Sequence, residues 1–162
     1  MEKVSDRFVT ASYIILADDD TDDCVMFNDA FKEININLNL ITVNDGSELM
    51  DFLLQDNVPL PEMIFLDLNM PKKNGLECLN ELKSNQRLKN IPVIIFSTSS
   101  NKEDIEKSKQ AKAHLYITKP GSFSNLKMII HKVLLTKFVN QLSLSANEKK
   151  FYVFSETSNY YY

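Results

Sequence analysis

Five short apolar runs, separated by segments with helical periodicity, constrain the fold of this chain more than any other feature of its sequence. The runs are YIIL (13–16), LNLITV (38–43), MIFL (63–66), VIIF (93–96) and LYI (115–117). The first, third and fourth are continuously apolar, which is typical of strands buried on both faces in a parallel sheet covered by helices. The five successive β-α units predict an α/β fold with a doubly wound, five-stranded parallel sheet.

The segments between the runs carry apolar residues at helical spacing. Cys24, Phe27, Phe31 and Ile34 form a stripe on a first helix, and Leu126, Ile130, Val133 and Lys137 line a fifth. Ser47, in the sequence NDGSE, is a candidate N-cap for the second helix. The segment 101–113 has a very thin apolar stripe, so we expect the helix there to be the most mobile of the five.

Polar side chains follow four of the five runs. Asp18 and Asp19 come directly after the first run, Asp67 after the third, Ser97 after the fourth, and Lys119 shortly after the fifth. In open α/β sheets, ligands bind beyond the carboxyl ends of the strands, so these side chains are expected to converge at one edge. The second run is followed only by NDG, which predicts that it is an outer strand.

The residue types at this edge indicate phosphoryl chemistry. Clustered carboxylates repel one another, and a hard divalent cation such as Mg²⁺ offsets that repulsion and prefers oxygen ligands. One carboxylate left partly free can attack a phosphorus atom. The cation and Lys119 can stabilise charge on the transferred group, and Ser97 can donate a hydrogen bond to it.

In order and in register, these motifs resemble those of the response-regulator receiver domains of two-component signalling systems. The resemblance covers residues 12–138 and rests on LADDD, FLDLNMP, IIFSTSS and YITKP. It implies a flavodoxin-like strand order 2-1-3-4-5. It also implies phosphorylation of Asp67, with Lys119 and Ser97 assisting, and a switch formed by Ser97 and Tyr116. The implied ligands of Mg²⁺ are Asp18, Asp19, Asp67 and the backbone carbonyl of Asn69, with Asp18 reaching the ion through water.

The same resemblance implies the partners. A sensor histidine kinase or a phosphotransfer protein would supply the phosphoryl group, and a downstream protein target would recognise the altered surface. The chain would not be an enzyme beyond Mg²⁺-dependent self-phosphorylation and autodephosphorylation. Two positions depart from the family pattern: Gly121 stands where many members have Phe, and Thr98 stands where a smaller residue is common.

Other functions fit the sequence less well. An aspartyl-phosphate-type phosphatase, the main alternative, needs Asp-x-Asp-x-Thr after the first strand, and Asp22 stands where Thr is required. A calcium loop in DDDTDD would need Gly where Asp23 stands. A degenerate binding module would have no need of the full set of motifs. Plainer roles are predicted for further polar residues: Asp22 and Asp23 as first-turn acids of a helix, Asp45, Asp51 and Asp56 as solvated acids, and His114 and His131 as surface residues.

Net charge, the length of the apolar runs and the cysteine content limit the class of protein. The net charge of -4 argues against a generic nucleic-acid binder, and no apolar run approaches the roughly 20 residues of a membrane span. The two cysteines, Cys24 and Cys78, are interpreted as reduced thiols of a cytoplasmic protein. We expect an N-terminal segment (1–11), a receiver domain (12–140) and a C-terminal extension (141–162).

The extension contains one structural signal. FYVF (151–154) reads as a short strand rich in aromatic and β-branched residues. Four adjacent apolar residues would form an exposed patch in a solvated tail, so we expect them to dock on the chain itself or on a second copy. Docking on a second copy would give a homodimer, as would contact through the fourth helix to the fifth.

Overall fold

The structure is a computed structural model, and it describes residues 12–135, 151–155 and 159–161. The strands are β1 (Tyr13–Ala17), β2 (Asn39–Val43), β3 (Met63–Leu66), β4 (Val93–Ser97), β5 (Leu115–Thr118), β6 (Tyr152–Phe154) and β7 (Asn159–Tyr161). The helices are α1 (Thr21–Glu33), α2 (Gly46–Leu53), α3 (Gly75–Ser84), α4 (Lys102–Gln110) and α5 (Phe123–Leu135). Within the described residues, no helix is long and apolar enough to cross a membrane.

The first five strands form a parallel sheet in the order β2-β1-β3-β4-β5, which confirms both the predicted fold class and the outer position of β2. The sheet continues further than predicted. β6 pairs in parallel with β5, and β7 pairs antiparallel with β6, so the complete sheet has seven strands. The strand predicted in FYVF therefore exists and docks on β5 of the same chain.

Two apolar layers cover the sheet. Successive side chains of a strand point to opposite faces of the sheet. Because both faces are covered, β1, β3 and β4 are buried along their whole length. One layer joins α1 and α5 to the sheet and contains edge-to-face contacts among Phe27, Phe65 and Phe96, with ring centroids 5.0 to 6.3 Å apart. The other joins α2, α3 and α4, and it also includes Phe151 and Val153 of the C-terminal extension.

Local details correct two predictions. The N-cap of α2 is Asp45, whose side chain accepts a hydrogen bond from the Glu48 N–H, so the prediction of Ser47 was wrong. Asp45 is also buried and pairs with Lys72 at 2.6 Å, so its prediction as a solvated acid was wrong as well. The carboxylate satisfies a backbone donor and a cation at once, which the sequence alone does not reveal.

Several remaining predictions are settled by burial. Cys24 and Cys78 are free thiols, the first half-buried and the second buried. His131 is exposed, but His114 is half-buried, and its Nδ1 accepts a hydrogen bond from the Val93 N–H at 3.1 Å, so its prediction as a surface residue was wrong. Lys137 and the N-terminal segment 1–11 lie outside the described residues.

Candidate functional site

Backbone hydrogen bonds extend the sheet past the strand ends and fix the first residue of each loop. The Asp18 N–H donates to the Val43 carbonyl at 3.0 Å, and the Asp67 N–H donates to the Ala17 carbonyl at 2.9 Å. Asp18 and Asp67 are therefore held in place by the same ladder that holds β1 and β3. Their side chains start from fixed backbone positions at one edge of the sheet.

Asp18, Asp19 and Asp67 form a carboxylate cluster at this edge. One oxygen from each lies within 4.8 Å of the others. Asp18 is fully buried, Asp67 is 5% exposed, and Asp19 is exposed. The sequence prediction that these three residues converge is matched by this geometry.

Burial makes the charged forms of the two inner acids costly. It raises the pKa of Asp67 to about 6, with Lys119 opposing that rise. Burial also raises the pKa of Asp18, again opposed by Lys119. Two neighbouring carboxylates that are shielded from water favour the binding of a positive group, because its charge offsets part of the desolvation cost.

Lys119 supplies part of that positive charge. Its Nζ lies 2.7 Å from an Asp18 oxygen, 2.7 Å from an Asp23 oxygen and 3.9 Å from an Asp67 oxygen. Burial works against the charge on the ammonium, but the ion pairs with Asp18 and Asp23 outweigh it, so the pKa of Lys119 is raised. Nζ also lies 5.6 Å from the centre of the Phe96 ring, which covers it on one side.

Asp23 is a site residue that the sequence prediction missed. It stands in the first turn of α1, where an acid is adequately explained by the helix dipole. Asp23 contacts Lys119 and the neighbouring Asp22 does not, but the local sequence gives no sign of this difference. Only the packing of α1 against the loop after β5 separates the two acids.

Ser97 and Tyr116 are both fully buried and are joined through Ser99. The Ser97 hydroxyl accepts a hydrogen bond from the Ser99 N–H at 3.2 Å, and the Tyr116 hydroxyl donates to the Ser99 carbonyl at 2.9 Å. The Ser99 hydroxyl in turn donates to Asp104 of α4 at 2.6 Å. A continuous polar path therefore runs from the end of β4 to α4.

A cavity of about 520 Å³ opens in front of the carboxylate cluster. It is lined by Asp19, Asp20, Thr21, Asp22, Asp23, Asp67, Asn69, Thr98 and Lys119. Thr98, one of the two departures from the family pattern, is exposed and lines this cavity. Asp18, Ser97 and Tyr116 are buried behind these residues and do not line it.

The loop after β3 packs tightly against the backbone of Asp67. The Gly75 N–H donates to the Leu68 carbonyl at 3.0 Å, and a Cβ atom on Gly75 would lie 2.0 Å from the Asp67 carbonyl oxygen. Glycine is therefore required for this approach. The close contact ties the start of α3 to the strand end that carries Asp67.

The site has the features that a divalent cation requires. One oxygen of the buried Asp67 carboxylate, Oδ1, has no hydrogen-bond partner in the described part of the chain, although leaving such an atom unpaired is costly. The neighbouring donors are carboxylate oxygens, which suit hard cations such as Mg²⁺ and Mn²⁺ better than soft ones. The residues therefore fit the metal that the resemblance implies.

Comparison with known proteins agrees with this geometry. The family model described as "Response regulator receiver domain" matches residues 14–131. Response regulator Rcp1 of Synechocystis sp. is 37% identical over 127 residues, covering 76% of this chain and 86% of Rcp1. The probable methanogenesis regulatory protein FilR2 of Methanothrix harundinacea is 30% identical over 123 residues, covering 74% of this chain and 79% of FilR2.

Two solved structures give the same result. The phosphorylated cyanobacterial phytochrome response regulator RcpA has a TM-score of 0.73 and 37% identity, covering 79% of this chain and 96% of RcpA. The Mn²⁺-bound form of Rcp1 has a TM-score of 0.70 and 36% identity, covering 75% of this chain and 91% of Rcp1. The family match, the strand order and the carboxylate cluster beside a lysine all agree, and this chain belongs to the response regulator receiver domain family.

Proposed function

We propose that Asp67 accepts a phosphoryl group and that the chain works as a phosphoacceptor of a two-component phosphorelay. The observation that carries the proposal is the Asp67 carboxylate itself: Asp67 lines the cavity, its Oδ2 lies 3.9 Å from Lys119 Nζ, and its buried Oδ1 has no hydrogen-bond partner among the described residues. Asp19 is too exposed and Asp18 too enclosed to serve equally well. Asp67 is both accessible from the cavity and desolvated.

The chemistry is an in-line displacement at phosphorus. An Asp67 oxygen forms a bond to phosphorus while the bond between phosphorus and the donor's leaving atom breaks, and the leaving group departs with that electron pair. Lys119 donates to the transferred oxygens and stabilises their charge. In a later hydrolysis step, water attacks phosphorus, the bond between phosphorus and the Asp67 oxygen breaks, inorganic phosphate leaves and the Asp67 carboxylate is restored.

The carboxylate cluster is the proposed metal site, and Mg²⁺ is the proposed ion. Asp19 and Asp67 would be direct ligands together with the backbone carbonyl of Asn69, and Asp18 would act through water. When bound, the ion supplies positive charge that offsets both the repulsion among the carboxylates and the negative charge of the phosphoryl group. Affinity should be modest, because few protein ligands serve a strongly hydrated ion.

The path from Ser97 to α4 is the proposed output. A phosphoryl group on Asp67 offers acceptor oxygens to the Ser97 hydroxyl, which now accepts from the Ser99 N–H. Turning that hydroxyl toward the phosphoryl group disturbs Ser99, on which both Tyr116 and Asp104 depend. The position of α4 would change as a result, and a downstream protein would read that change.

The proposed phosphodonor is a histidine kinase or a phosphotransfer protein. RcpA is described as a phytochrome response regulator, so a photoreceptor kinase is the first upstream partner to test. The proposed target is a protein rather than nucleic acid, since the net charge is -4. A homodimer stays a prediction, which sedimentation of the full chain tests.

The test of the phosphoacceptor is direct. The purified chain is incubated with acetyl phosphate and Mg²⁺, and the label is mapped after digestion. One phosphoryl group per chain, on Asp67, is expected, and Asp67→Asn should abolish it. Asp56→Asn, which removes an exposed acid, is the matched control and should label normally. Label persisting in Asp67→Asn would refute the assignment.

The metal assignment has its own readout. Mg²⁺ binding, followed by titration calorimetry, should weaken strongly in Asp19→Ala and less in Asp18→Ala. Equal affinity in Asp19→Ala and the wild type would contradict the ligand set. The aspartyl-phosphate phosphatase remains the alternative function, and steady turnover of a phosphate ester by the wild-type chain would favour it over stoichiometric labelling.

A further inference from the structure

The contact between Asp23 and Lys119 is not explained by the proposed phosphoryl chemistry. Lys119 is 8% exposed in its side chain, and it makes two short ion pairs, one to Asp18 and one to Asp23, both at 2.7 Å. Its distance to Asp67, the proposed phosphoacceptor, is 3.9 Å. The cation is therefore engaged by α1 and the end of β1 before any phosphoryl group arrives.

The helix dipole accounts for an acid at Asp23 but not for this contact. Asp20 is the N-cap of α1, and its carboxylate accepts from the N–H groups of Asp22 and Asp23. Asp22 and Asp23 are thus both first-turn acids that line the cavity. Asp23 alone of the two forms an ion pair with Lys119 in the described part of the chain. This difference provides an internal comparison of two adjacent acids.

The ammonium group of Lys119 has a limited number of donors. It carries three N–H bonds, of which the Asp18 and Asp23 contacts use two. The Phe96 ring lies 5.6 Å from Nζ and offers no oxygen acceptor. A phosphoryl group on Asp67 needs short hydrogen bonds from Lys119, and the partly exposed Asp23 is the easier of the two partners to give up. Asp18 is fully buried, and among the described residues Lys119 is the cation that offsets its charge.

We infer that Asp23 is a positioning residue that slows phosphorylation of Asp67 by holding Lys119 on the α1 side of the cavity. The inference rests on the proposed function, because it concerns the rate of that transfer. In the transfer from acetyl phosphate, the bond between phosphorus and the acetate oxygen breaks, a bond from phosphorus to an Asp67 oxygen forms, and acetate leaves. Nζ lies 3.9 Å from Asp67, so Lys119 must move toward Asp67 to bind a phosphoryl oxygen, and this movement lengthens or breaks its contact with Asp23.

The expected effect is moderate because the ion pair is partly exposed. Asp23→Asn keeps the shape of the side chain but releases the lysine, and it should accelerate phosphorylation by roughly twofold to fivefold. Asp22→Asn removes the same formal charge from the same cavity without touching Lys119. It should change the rate by less, and that smaller change should fade as salt rises, because it acts only through the general field. Asp23→Glu keeps the charge and should stay close to the wild type.

A double-mutant cycle tests whether Asp23 acts through the lysine. Initial rates of Asp67 phosphorylation by acetyl phosphate are measured at fixed Mg²⁺ for Asp23→Asn and Asp22→Asn, each with Lys119 present and with Lys119→Ala. The initial rate of Asp23→Asn should exceed that of Asp22→Asn when Lys119 is present, and the two rates should be equal in the Lys119→Ala background. Urea unfolding of each variant separates a rate effect from a folding defect, and Asp23→Ser serves as a second release variant.

The outcomes are distinct. Equal acceleration by Asp23→Asn and Asp22→Asn, or an advantage of Asp23→Asn that survives in Lys119→Ala, would overturn the inference and leave the proposed function intact. Slower phosphorylation in Asp23→Asn would also overturn it, because Asp23 would then be aiding Lys119. Absence of label on Asp67 in the wild type would overturn the proposed function, and the inference with it.

Discussion

Replacing Asp67 with Asn should stabilise the metal-free protein at neutral pH. The acid is nearly fully buried, and burial raises its pKa to about 6 from an ordinary value of 3.8. Because the folded-state pKa is the higher one, the folded chain holds this proton more tightly than the unfolded chain. The associated stability is fully present below about pH 4 and is lost as the pH rises through 6.

The size of the effect follows from the same two values. The difference between about 6 and 3.8, at about 1.4 kcal/mol for each pH unit, gives roughly 3 kcal/mol. Asparagine is neutral at every pH, so Asp67→Asn should match the wild type near pH 4 and exceed its free energy of unfolding by up to about 3 kcal/mol at pH 7.5. For a chain of this size, that corresponds to a rise in melting temperature of roughly 6 to 12 °C.

Urea denaturation in the presence of a metal chelator, at pH 4 and at pH 7.5, measures the difference. Asp56→Asn is the control, since that acid is exposed and its replacement should change little at either pH. Saturating Mg²⁺ should shrink the advantage of Asp67→Asn, because the ion stabilises only the carboxylate form. The same stabilisation at both pH values, or a loss of stability at pH 7.5, would refute the electrostatic account of Asp67.

Three further predictions concern other parts of the molecule. Phe151→Ala should lower the free energy of unfolding by up to about 3 to 5 kcal/mol, the cost of removing a buried Phe, and by no more than the docking of the extension contributes. Phe123→Ala removes an exposed ring and should cost far less. Equal losses of stability for the two variants in urea denaturation would show that the extension does not dock. Gly75→Ala should slow phosphorylation and destabilise the fold by roughly 1 to 3 kcal/mol, since its Cβ would overlap the Asp67 carbonyl; unchanged rate and stability would contradict that contact. Hydrogen exchange should be faster in α4 than in α5, because α4 buries only two of its residues; equal protection would count against a mobile α4.

The sequence was sufficient to predict the sheet and most of the site because both depend on strand ends. A run such as MIFL is apolar throughout only when both faces are covered, and the residue after it necessarily lies at the carboxyl edge. Asp18, Asp67 and Lys119 could therefore be placed near one another without knowing any side-chain position. The order of the strands came from the family resemblance, since periodicity does not determine which strands are neighbours.

The parts that could not be predicted depend on contacts between distant segments. Asp45 and Asp23 both looked like ordinary exposed acids, yet each meets a lysine far along the chain, Lys72 in one case and Lys119 in the other. Local sequence reports helix caps and dipoles, but it does not report which side chain a loop will bring nearby. For the same reason, the sequence predicted that β6 is a strand but not that it pairs with β5. Strand propensity is a local property, whereas the partner strand is distant in the sequence.

The pairing of β6 with β5 sets an affinity threshold for any protein that binds this side of the sheet. Val153 sits in register beside Tyr116, so the outer hydrogen-bonding edge of β5 is already occupied within the chain. A tethered segment competes at an effective concentration on the order of millimolar, whereas a separate protein competes at its actual concentration. A partner that adds its own strand to β5 must therefore bind tightly enough to displace β6. Weak strand pairing is therefore excluded at β5, and the outer strands of the sheet are β2 and β7 instead.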